Sequence, residues 1–201
     1  MTKKKTKTTD QSWTSADPII SRLFVGSFSA ARDLDKLREY GITHIVNCTR
    51  ELPIYHPGEF EYLHIKLTDN TTQNIISVFP EVINFIHQAR ISRGLVLVHC
   101  AFGSSRSGTM AVAYILALEG KELDETIRLV QKQRPKICPN PGFIAQLEYF
   151  RKMRRLLSDN GFLEPFSREE LEKIAKDLRL YGPLPEIKHT SKNKGNLFNP
   201  P

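Results

Sequence analysis

The sequence predicts an α/β fold in which a central mixed sheet of about five strands is flanked by helices. Short apolar runs, typical of strands, alternate along the chain with stretches whose apolar residues recur at the helical period. Such interleaving is typical of sheets covered by helices. The chain has 201 residues, enough for one domain with its own hydrophobic core and tails.

The first half of the chain supplies most of the predicted strands. Gly41 ends the predicted helix, and a loop marked by Pro57 and Gly58 separates the last two strands. The predicted elements are, in order, strands at 18–20 and 23–26, an amphipathic helix over 27–40, and strands at 42–48 and 59–67.

Helices dominate the second half. A polar loop at 68–74 carries Asp69 and precedes them, and Pro80 fits the first turn of the first helix. The predicted elements are, in order, a helix over 75–91, a strand at 95–98, and helices over 109–119, 123–133 and 143–157.

One stretch, 94–108, carries the candidate chemistry and reads GLVLVHCAFGSSRSG. We interpret it as a buried strand, a tight loop and the beginning of a helix. The loop and the first helical turn leave backbone N–H groups without carbonyl partners, a geometry that binds anions. The positive field there favours a thiolate at Cys100, and the Arg106 guanidinium can hold two phosphate oxygens. The stretch therefore combines a nucleophile with a phosphate cradle.

A simpler interpretation makes Cys100 a small buried hydrophobic residue and Arg106 a surface cation, because free cysteines are usually buried and inert. However, Cys100 lies between an apolar strand and a loop of Gly and Ser, with Arg106 closing that loop. This arrangement favours the functional interpretation.

The charge of the chain is concentrated at its ends. The 29 Lys and Arg residues exceed the 22 Asp and Glu residues by +7, and lysine-rich ends carry most of the excess. We expect a disordered basic tail at 1–16, a catalytic domain at 17–158 and an extension at 159–201. The near-neutral middle argues against a nucleic-acid partner, although a basic end can serve as a nuclear-import or docking signal.

The C-terminal extension contains one predicted short helix. A capping box at 167–170 precedes the apolar residues Leu171, Ile174 and Leu178. This helix either packs on the catalytic body or binds a partner.

Three cysteines and the absence of a signal peptide favour free thiols in a reducing compartment, the cytoplasm or the nucleus. No apolar stretch approaches the length of a membrane span, so no membrane contact is expected. The spacing of Cys48, His56 and His64 fits no common zinc template, so we predict neither a metal nor a cofactor.

The motif His99-Cys100-x5-Arg106-Ser107 resembles the signature of cysteine-dependent protein phosphatases. The flanking sequences are similar to the dual-specificity class, and most closely to the catalytic domain of MAP-kinase phosphatases, over about residues 17–157. The resemblance therefore implies a protein tyrosine phosphatase-like fold and a small, atypical member. The stretches that carry it are GITHIVN at 41–47, GEFEY at 58–62, FPEVI at 79–83 and PNPGFIAQL at 139–147.

The resemblance implies that Cys100 attacks phosphorus and forms a phosphocysteine, which water then hydrolyses. Arg106 would hold the phosphoryl oxygens together with backbone N–H groups of Ala101, Phe102, Gly103, Ser104 and Ser105. His99 would orient the loop and help to keep Cys100 ionised, or would be a strand-end histidine bonded to backbone. Ser107 would hydrogen-bond the sulfur, or would serve as a helix N-terminal serine.

Three further positions follow from the same resemblance. Asp69 lies where the family places the acid that protonates the leaving oxygen, although a turn or cap residue is the alternative. Asn140 resembles the asparagine that braces the phosphate loop. Cys48 lies at the end of a neighbouring strand and is a candidate redox partner of Cys100, with a buried structural cysteine as the alternative.

Two positions depart from the common pattern of the class and leave substrate preference open. Phe102 stands where Ala is frequent, and Ser104 where Ile or Val is frequent. Phe102 either packs outward on the protein, narrows the entrance or stacks on a substrate ring. The loop also lacks the lysines that lipid phosphatases place between Cys and Arg.

The resemblance implies a phosphoprotein substrate, with a MAP kinase or another signalling protein as candidates, and a monomeric enzyme acting on phosphotyrosine and phosphoserine or phosphothreonine. Two alternatives belong to other classes. One is a phosphoprotein-binding module of weak activity, although Cys100, Arg106 and Asp69 are all present. The other is a phosphatase of RNA 5′ ends, phosphoinositides or glucan.

Overall fold

The computed structural model of the protein describes residues 16–159, with side chains described as far as residue 153. A single five-stranded sheet lies at the centre of this part, with helices packed on it. The fold confirms the predicted class. The elements are, in chain order, β1 (Asp17–Ile20), β2 (Leu23–Gly26), α1 (Phe28–Arg32), α2 (Leu34–Glu39), β3 (His44–Asn47), β4 (Glu61–His64), α3 (Phe79–Ile91), β5 (Val96–His99), α4 (Arg106–Glu119), α5 (Leu123–Gln133) and α6 (Pro141–Asp159).

The strand order β1-β2-β5-β3-β4 decides where the candidate site lies. β1 is antiparallel to β2, whereas β2, β5, β3 and β4 pair in parallel. Asn47 at the end of β3 is paired with His99 at the end of β5. The next residues, Cys48 and Cys100, therefore emerge side by side at the carboxyl edge of the sheet, where α/β folds commonly bind ligands.

The sheet separates two apolar clusters. The larger cluster lies between the sheet and α3, α4, α5 and α6, and it includes Val46, Val98 and most of α4. The smaller one joins Ile45 and Leu97 on the opposite face to Ala30 and Leu37 of α1 and α2. Alternate residues of β3 and β5 thus point to opposite faces, as the pleat of a strand requires. Helix α4, which follows the loop after β5, is consequently buried on nearly every side.

The predicted helix over 27–40 is wrong in one respect, because the structure divides it into α1 and α2 at Asp33. Asp33 has φ −85° and ψ 87°, and its side chain accepts a hydrogen bond from the Lys36 N–H, which caps α2. Aspartate competes with the helical backbone in this way and therefore starts a new helix. The observed strands β3 and β4 are also shorter than predicted, and a 3₁₀ turn at Ile76–Val78 precedes α3.

Some predictions fall on residues that the structure does not describe. The basic tail at 1–15 and the extension from 160 onward, with the predicted helix around Leu171, lie outside the described residues. Within the described part, no helix is both long and apolar enough to cross a bilayer.

Candidate active site

The candidate nucleophile Cys100 follows β5 directly and is almost completely buried, with 1% of its surface exposed. Its Sγ lies 3.2 Å from the Ser107 hydroxyl in the first turn of α4. The Gly103 N–H also donates to Sγ, at 3.2 Å. Hydrogen bonds to sulfur favour its charged form. The local chain thus supplies two groups that can stabilise a thiolate.

In the segment 100–106, which we call the phosphate loop, four carbonyl groups accept hydrogen bonds from donors beyond the loop. In a trans peptide, the C=O and the N–H of the following residue point in opposite directions. The N–H groups that follow the four carbonyls, those of Phe102, Ser104, Ser105 and Arg106, therefore point away from the donors that the carbonyls contact. This direction is the one that the predicted anion site requires. The four contacts join the Ala101 carbonyl to the Phe28 N–H (3.2 Å), the Gly103 carbonyl to the Arg134 Nε–H (2.7 Å), the Ser104 carbonyl to the Cys138 N–H (3.4 Å) and the Ser105 carbonyl to the Thr109 N–H (2.8 Å).

Arg106 is 4% exposed, and the hydrogen bonds found for its guanidinium are made by Nη1. Its Nη1 donates to the Glu51 carboxylate at 2.7 Å and to the Leu67 carbonyl at 3.1 Å. Its buried Nε has no hydrogen-bond partner among the described residues, and the Asp69 Oδ2 lies 3.7 Å from it. An unpaired buried donor is costly, so Nε is suited to an incoming oxyanion.

Asp69 lies on the loop after β4 and reaches the phosphate loop. Its Oδ1 accepts hydrogen bonds from the Ser105 hydroxyl at 2.7 Å and from Asn140 Nδ2 at 3.0 Å. Asn140 also donates its backbone N–H to the Ser105 hydroxyl (3.2 Å) and its Nδ2 to the Asn70 carbonyl (3.3 Å). Asp69 and Asn140 therefore meet the phosphate loop at Ser105, next to Arg106.

His99 is the last residue of β5 and is almost completely buried. Burial lowers its pKa to about 4, with the nearby His64 and Arg106 acting in the same direction and the Cys100 backbone opposing them. Its Nδ1 is buried and has no hydrogen-bond partner within residues 16–153. The imidazole is therefore neutral at pH 7. That His99 helps to keep Cys100 ionised stays a prediction. An orienting role for His99 is compatible with this environment.

Cys48 is completely buried beside Cys100. Its N–H donates to the His99 carbonyl at 2.9 Å, which continues the parallel pairing of β3 with β5. Burial raises the pKa of the Cys48 thiol well above its usual value; a charge on Cys100 raises it further, and Arg106 opposes both. All three cysteines of the chain are free in this structure.

The two unusual positions of the phosphate loop differ in their exposure. Phe102 is 59% exposed and is one of the large apolar side chains on the surface of the described part. The Ser104 hydroxyl instead points to the protein and donates to the Lys136 carbonyl at 2.5 Å. Phe102 thus presents much of its ring to solvent, whereas the Ser104 side chain anchors the loop to the connector between α5 and α6.

Three residues of the site were not predicted from the sequence. Glu51, in the loop after β3, orients Arg106, whereas Arg134 and Asp17 form a buried ion pair behind the phosphate loop. Arginine and aspartate are rarely buried, so composition alone places them on the surface. The only local signal was Pro135, which forces α5 to end next to Arg134.

Comparisons with known proteins identify the family of the chain. Residues 23–153 match the family model described as "Dual specificity phosphatase, catalytic domain". The chain therefore belongs to the dual-specificity protein phosphatase family, and the predicted resemblance is confirmed.

Within the described residues, no group of three or more His, Cys, Asp or Glu side chains is arranged to hold a metal ion.

Individual relatives show how far the likeness extends. The chain is 40% identical over 128 residues to dual specificity protein phosphatase 19 of Mus musculus, covering 64% of this chain and 58% of that protein. It is 32% identical over 162 residues to protein phosphatase Slingshot of Drosophila melanogaster, covering 81% of this chain but 16% of that protein. The likeness thus spans little more than half of one relative and a small part of the other.

Among solved structures, the human tyrosine phosphatase-like serine/threonine/tyrosine-interacting protein superposes with a TM-score of 0.67 at 33% identity. The match covers 70% of this chain and 97% of that one.

Proposed function

We propose that the protein hydrolyses phosphotyrosine and phosphoserine or phosphothreonine in proteins through a phosphocysteine intermediate. One observation carries the proposal: within the phosphate loop, the Gly103 N–H donates to Cys100 Sγ at 3.2 Å, while Arg106 has a buried Nε with no hydrogen-bond partner among the described residues. A phosphoryl group there would satisfy the buried donors and present its phosphorus to the sulfur.

In the first step, the Cys100 thiolate attacks phosphorus and an S–P bond forms while the ester P–O bond breaks. The loop N–H groups and Arg106 stabilise the charge that spreads over the three non-bridging oxygens. Asp69, in its acid form, transfers a proton to the leaving oxygen. Its carboxyl group is 3.7 Å from Arg106 Nε, which supports a position beside the bound phosphoryl group.

In the second step, water attacks the phosphocysteine and the S–P bond breaks, releasing inorganic phosphate. The Asp69 carboxylate accepts the proton of the attacking water. The Ser107 hydroxyl, 3.2 Å from Sγ, stabilises the departing thiolate by a hydrogen bond. His99 positions the loop from beneath as a neutral ring, and Asn140 braces the Asp69 loop against Ser105.

The substrate is proposed to be a phosphoprotein, with a MAP kinase or another signalling protein of the cytoplasm or nucleus as candidates. The exposed Phe102 would contact the residues around the phosphorylated side chain. Apolar contact of this kind favours a peptide over RNA, an inositol headgroup or glucan. A monomeric enzyme without cofactor suffices for the two steps described.

A phosphoprotein-binding module is the second candidate, because a structural neighbour bears the name of an interacting protein. The two candidates differ in turnover. We expect wild type to release phosphate from an aryl phosphate and from phosphotyrosine and phosphoserine peptides, and Cys100→Ser to bind phosphopeptide without turnover. Binding without phosphate release by the wild type would contradict the enzyme and favour the binding module.

We also propose that Cys48 protects Cys100 from over-oxidation. Peroxide would convert the Cys100 thiolate to a sulfenic acid, and the Cys48 thiol would displace water to form a disulfide. The adjacent positions after β3 and β5 support this. Mass spectrometry after peroxide treatment should detect a Cys48–Cys100 peptide in wild type, and Cys48→Ala should yield sulfinic and sulfonic acid at Cys100. Such acids as the sole products in wild type would exclude the bridge.

A further inference from the structure

Arg134, the residue after the last turn of α5, is a completely buried cation behind the phosphate loop. It is 0% exposed and is the largest fully buried side chain of the described residues. A buried guanidinium is tolerated only when it is paired and hydrogen-bonded, so its partners indicate what it does.

The partners of Arg134 connect the loop to the first strand. Its Nε donates to the Gly103 carbonyl at 2.7 Å. Its Nη1 forms an ion pair with the carboxylate of Asp17 in β1, which is itself mostly buried. Burial lowers the pKa of Arg134, whereas the charges of Asp17 and Cys100 oppose that shift. Gly103 relates the two groups, because its carbonyl accepts from Arg134 and its N–H donates to Cys100 Sγ.

Gly103, the residue that Arg134 holds, occupies a confined position. Its φ of +68° lies in the left-handed region, and a Cβ there would come within 2.6 Å of the Gly26 carbonyl carbon and would also meet Arg134. Gly103 is therefore enclosed between the end of β2 and the guanidinium. Its N–H donates to Cys100 Sγ at 3.2 Å, so a shift of Gly103 would also change the surroundings of the sulfur.

The direction of the next N–H follows from the contact with Arg134. The peptide between Gly103 and Ser104 is trans, so a carbonyl held by Arg134 turns the Ser104 N–H to the opposite side, into the cradle. The other anchored carbonyls of the loop accept from backbone N–H groups, whereas the anchor of Gly103 is a charged side chain. A charge-assisted bond holds its acceptor more firmly than a neutral one.

We propose that Arg134 is a positioning residue for the phosphate loop, acting through the Gly103 carbonyl and oriented by Asp17. It fixes the Gly103–Ser104 peptide so that the Ser104 N–H meets a phosphoryl oxygen, and it adds positive charge behind the sulfur. The proposal rests on the phosphatase function proposed above. It assigns a role in transition-state binding to a residue that would not touch the substrate.

The test compares four variants in the full chain. Arg134→Met removes charge and donors, Arg134→Lys keeps the charge, Asp17→Asn removes the orienting carboxylate, and Arg128→Met on the exposed face of α5 is the matched control. The measurements are kcat and KM with an aryl phosphate, binding of inorganic phosphate by calorimetry, the pH midpoint of inactivation by iodoacetamide, and the thermal midpoint.

We expect Arg134→Met to lower kcat/KM about 100-fold, mainly through kcat, as for loss of one oxyanion donor. Phosphate binding should weaken about tenfold, and the iodoacetamide midpoint should move to higher pH. Arg134→Lys should recover part of the loss because it retains the charge. Asp17→Asn should lose about tenfold in kcat/KM, and Arg128→Met should stay within twofold of wild type.

A folded Arg134→Met enzyme with kcat/KM within threefold of wild type and unchanged phosphate binding would overturn the proposal. If Arg134→Met does not fold, Arg134→Lys and Asp17→Asn decide: wild-type kinetics and phosphate binding in both would reduce Arg134 to a structural role. Absence of turnover in wild type would contradict the proposed function alone. Phosphate binding by the variants would still measure the effect of Arg134 on the cradle.

Discussion

The Ser105 hydroxyl donates a 2.7 Å hydrogen bond to Oδ1 of Asp69 and so joins the phosphate loop to the loop that carries the candidate acid. Asn140 donates to the same oxygen at 3.0 Å. The other carboxylate oxygen, Oδ2, lies 3.7 Å from Arg106 Nε. Asp69 is thus held beside the phosphate loop by partners that lie 36 and 71 positions away from it in the sequence.

We predict that Asp69→Asn separates substrates by their leaving groups. Asparagine can keep the contact with Ser105 but cannot transfer the proton, so phosphoserine peptide turnover should fall about 10²- to 10⁴-fold. An aryl phosphate with an acidic phenol needs less protonation and should lose much less. Steady-state kinetics on both substrates check this, with the exposed Asp124→Asn on α5 as control. An equal loss on both substrates would remove Asp69 from the acid role.

Removing the contact that holds Asp69 should give a weaker version of the same pattern. Ser105→Ala keeps the carboxyl group of Asp69 but removes the hydrogen bond that positions it. We therefore expect kcat/KM to fall about tenfold on phosphoserine peptide and by less on the aryl phosphate. Ser92→Ala, on the exposed end of α3 away from the site, is the matched control. Unchanged kinetics for Ser105→Ala would show that the bond does not position the acid.

The guanidinium of Arg106 should not be replaceable by an ammonium group. Arg106→Lys keeps a positive charge but loses the planar fork that can contact Glu51, Leu67 and a phosphoryl oxygen together. We expect kcat/KM to fall about 10²- to 10³-fold, as for loss of a transition-state donor. Arg128→Lys should have no effect on the same measurement. A Lys variant with near wild-type kcat/KM would mean that charge alone is enough.

His99 should make the protein less stable in acid. Its folded pKa of about 4 is lower than the usual value of 6.5, so the unfolded chain binds more protons between these values. The free energy of unfolding should therefore fall as pH drops below about 6.5, with about 2 kcal/mol lost from this group by pH 5. Urea unfolding of wild type and of His99→Gln at pH 7.5 and pH 5 measures the difference. The variant should show the weaker pH dependence, and identical dependence in both proteins would contradict the prediction.

Local patterns predicted most of the secondary structure. The boundaries of β2 and α5 agree with the predicted ones, because short apolar runs and a clear helical period are properties of adjacent residues. The break at Asp33 was missed because the apolar period continues through it, from Ala30 to Leu37. The hydrogen bond from the Lys36 N–H to the Asp33 side chain starts a new helix there, although the apolar pattern continues without a break.

The sequence by itself determined the family, the α/β class and the short unit from β5 through the phosphate loop into α4. The physical reason is that Cys100, Ser107 and Arg106 are close neighbours along the chain, and a strand–loop–helix unit brings them together whatever surrounds it. Asp69 and Asn140 were predicted by resemblance, and their distances to Ser105 came from the structure.

Only the tertiary structure decided what lies around and behind that unit. Glu51 meets Arg106 across 55 positions and Asp17 meets Arg134 across 117, because the strand order brings β3 and β5 together and packs α5 near β1. The spacing of apolar residues along the chain does not reveal the order of strands in a sheet. An arginine is buried only where a partner neutralises it, and the sequence does not identify that partner. The charge state of His99 was decided in the same way, since burial by distant elements lowers its pKa.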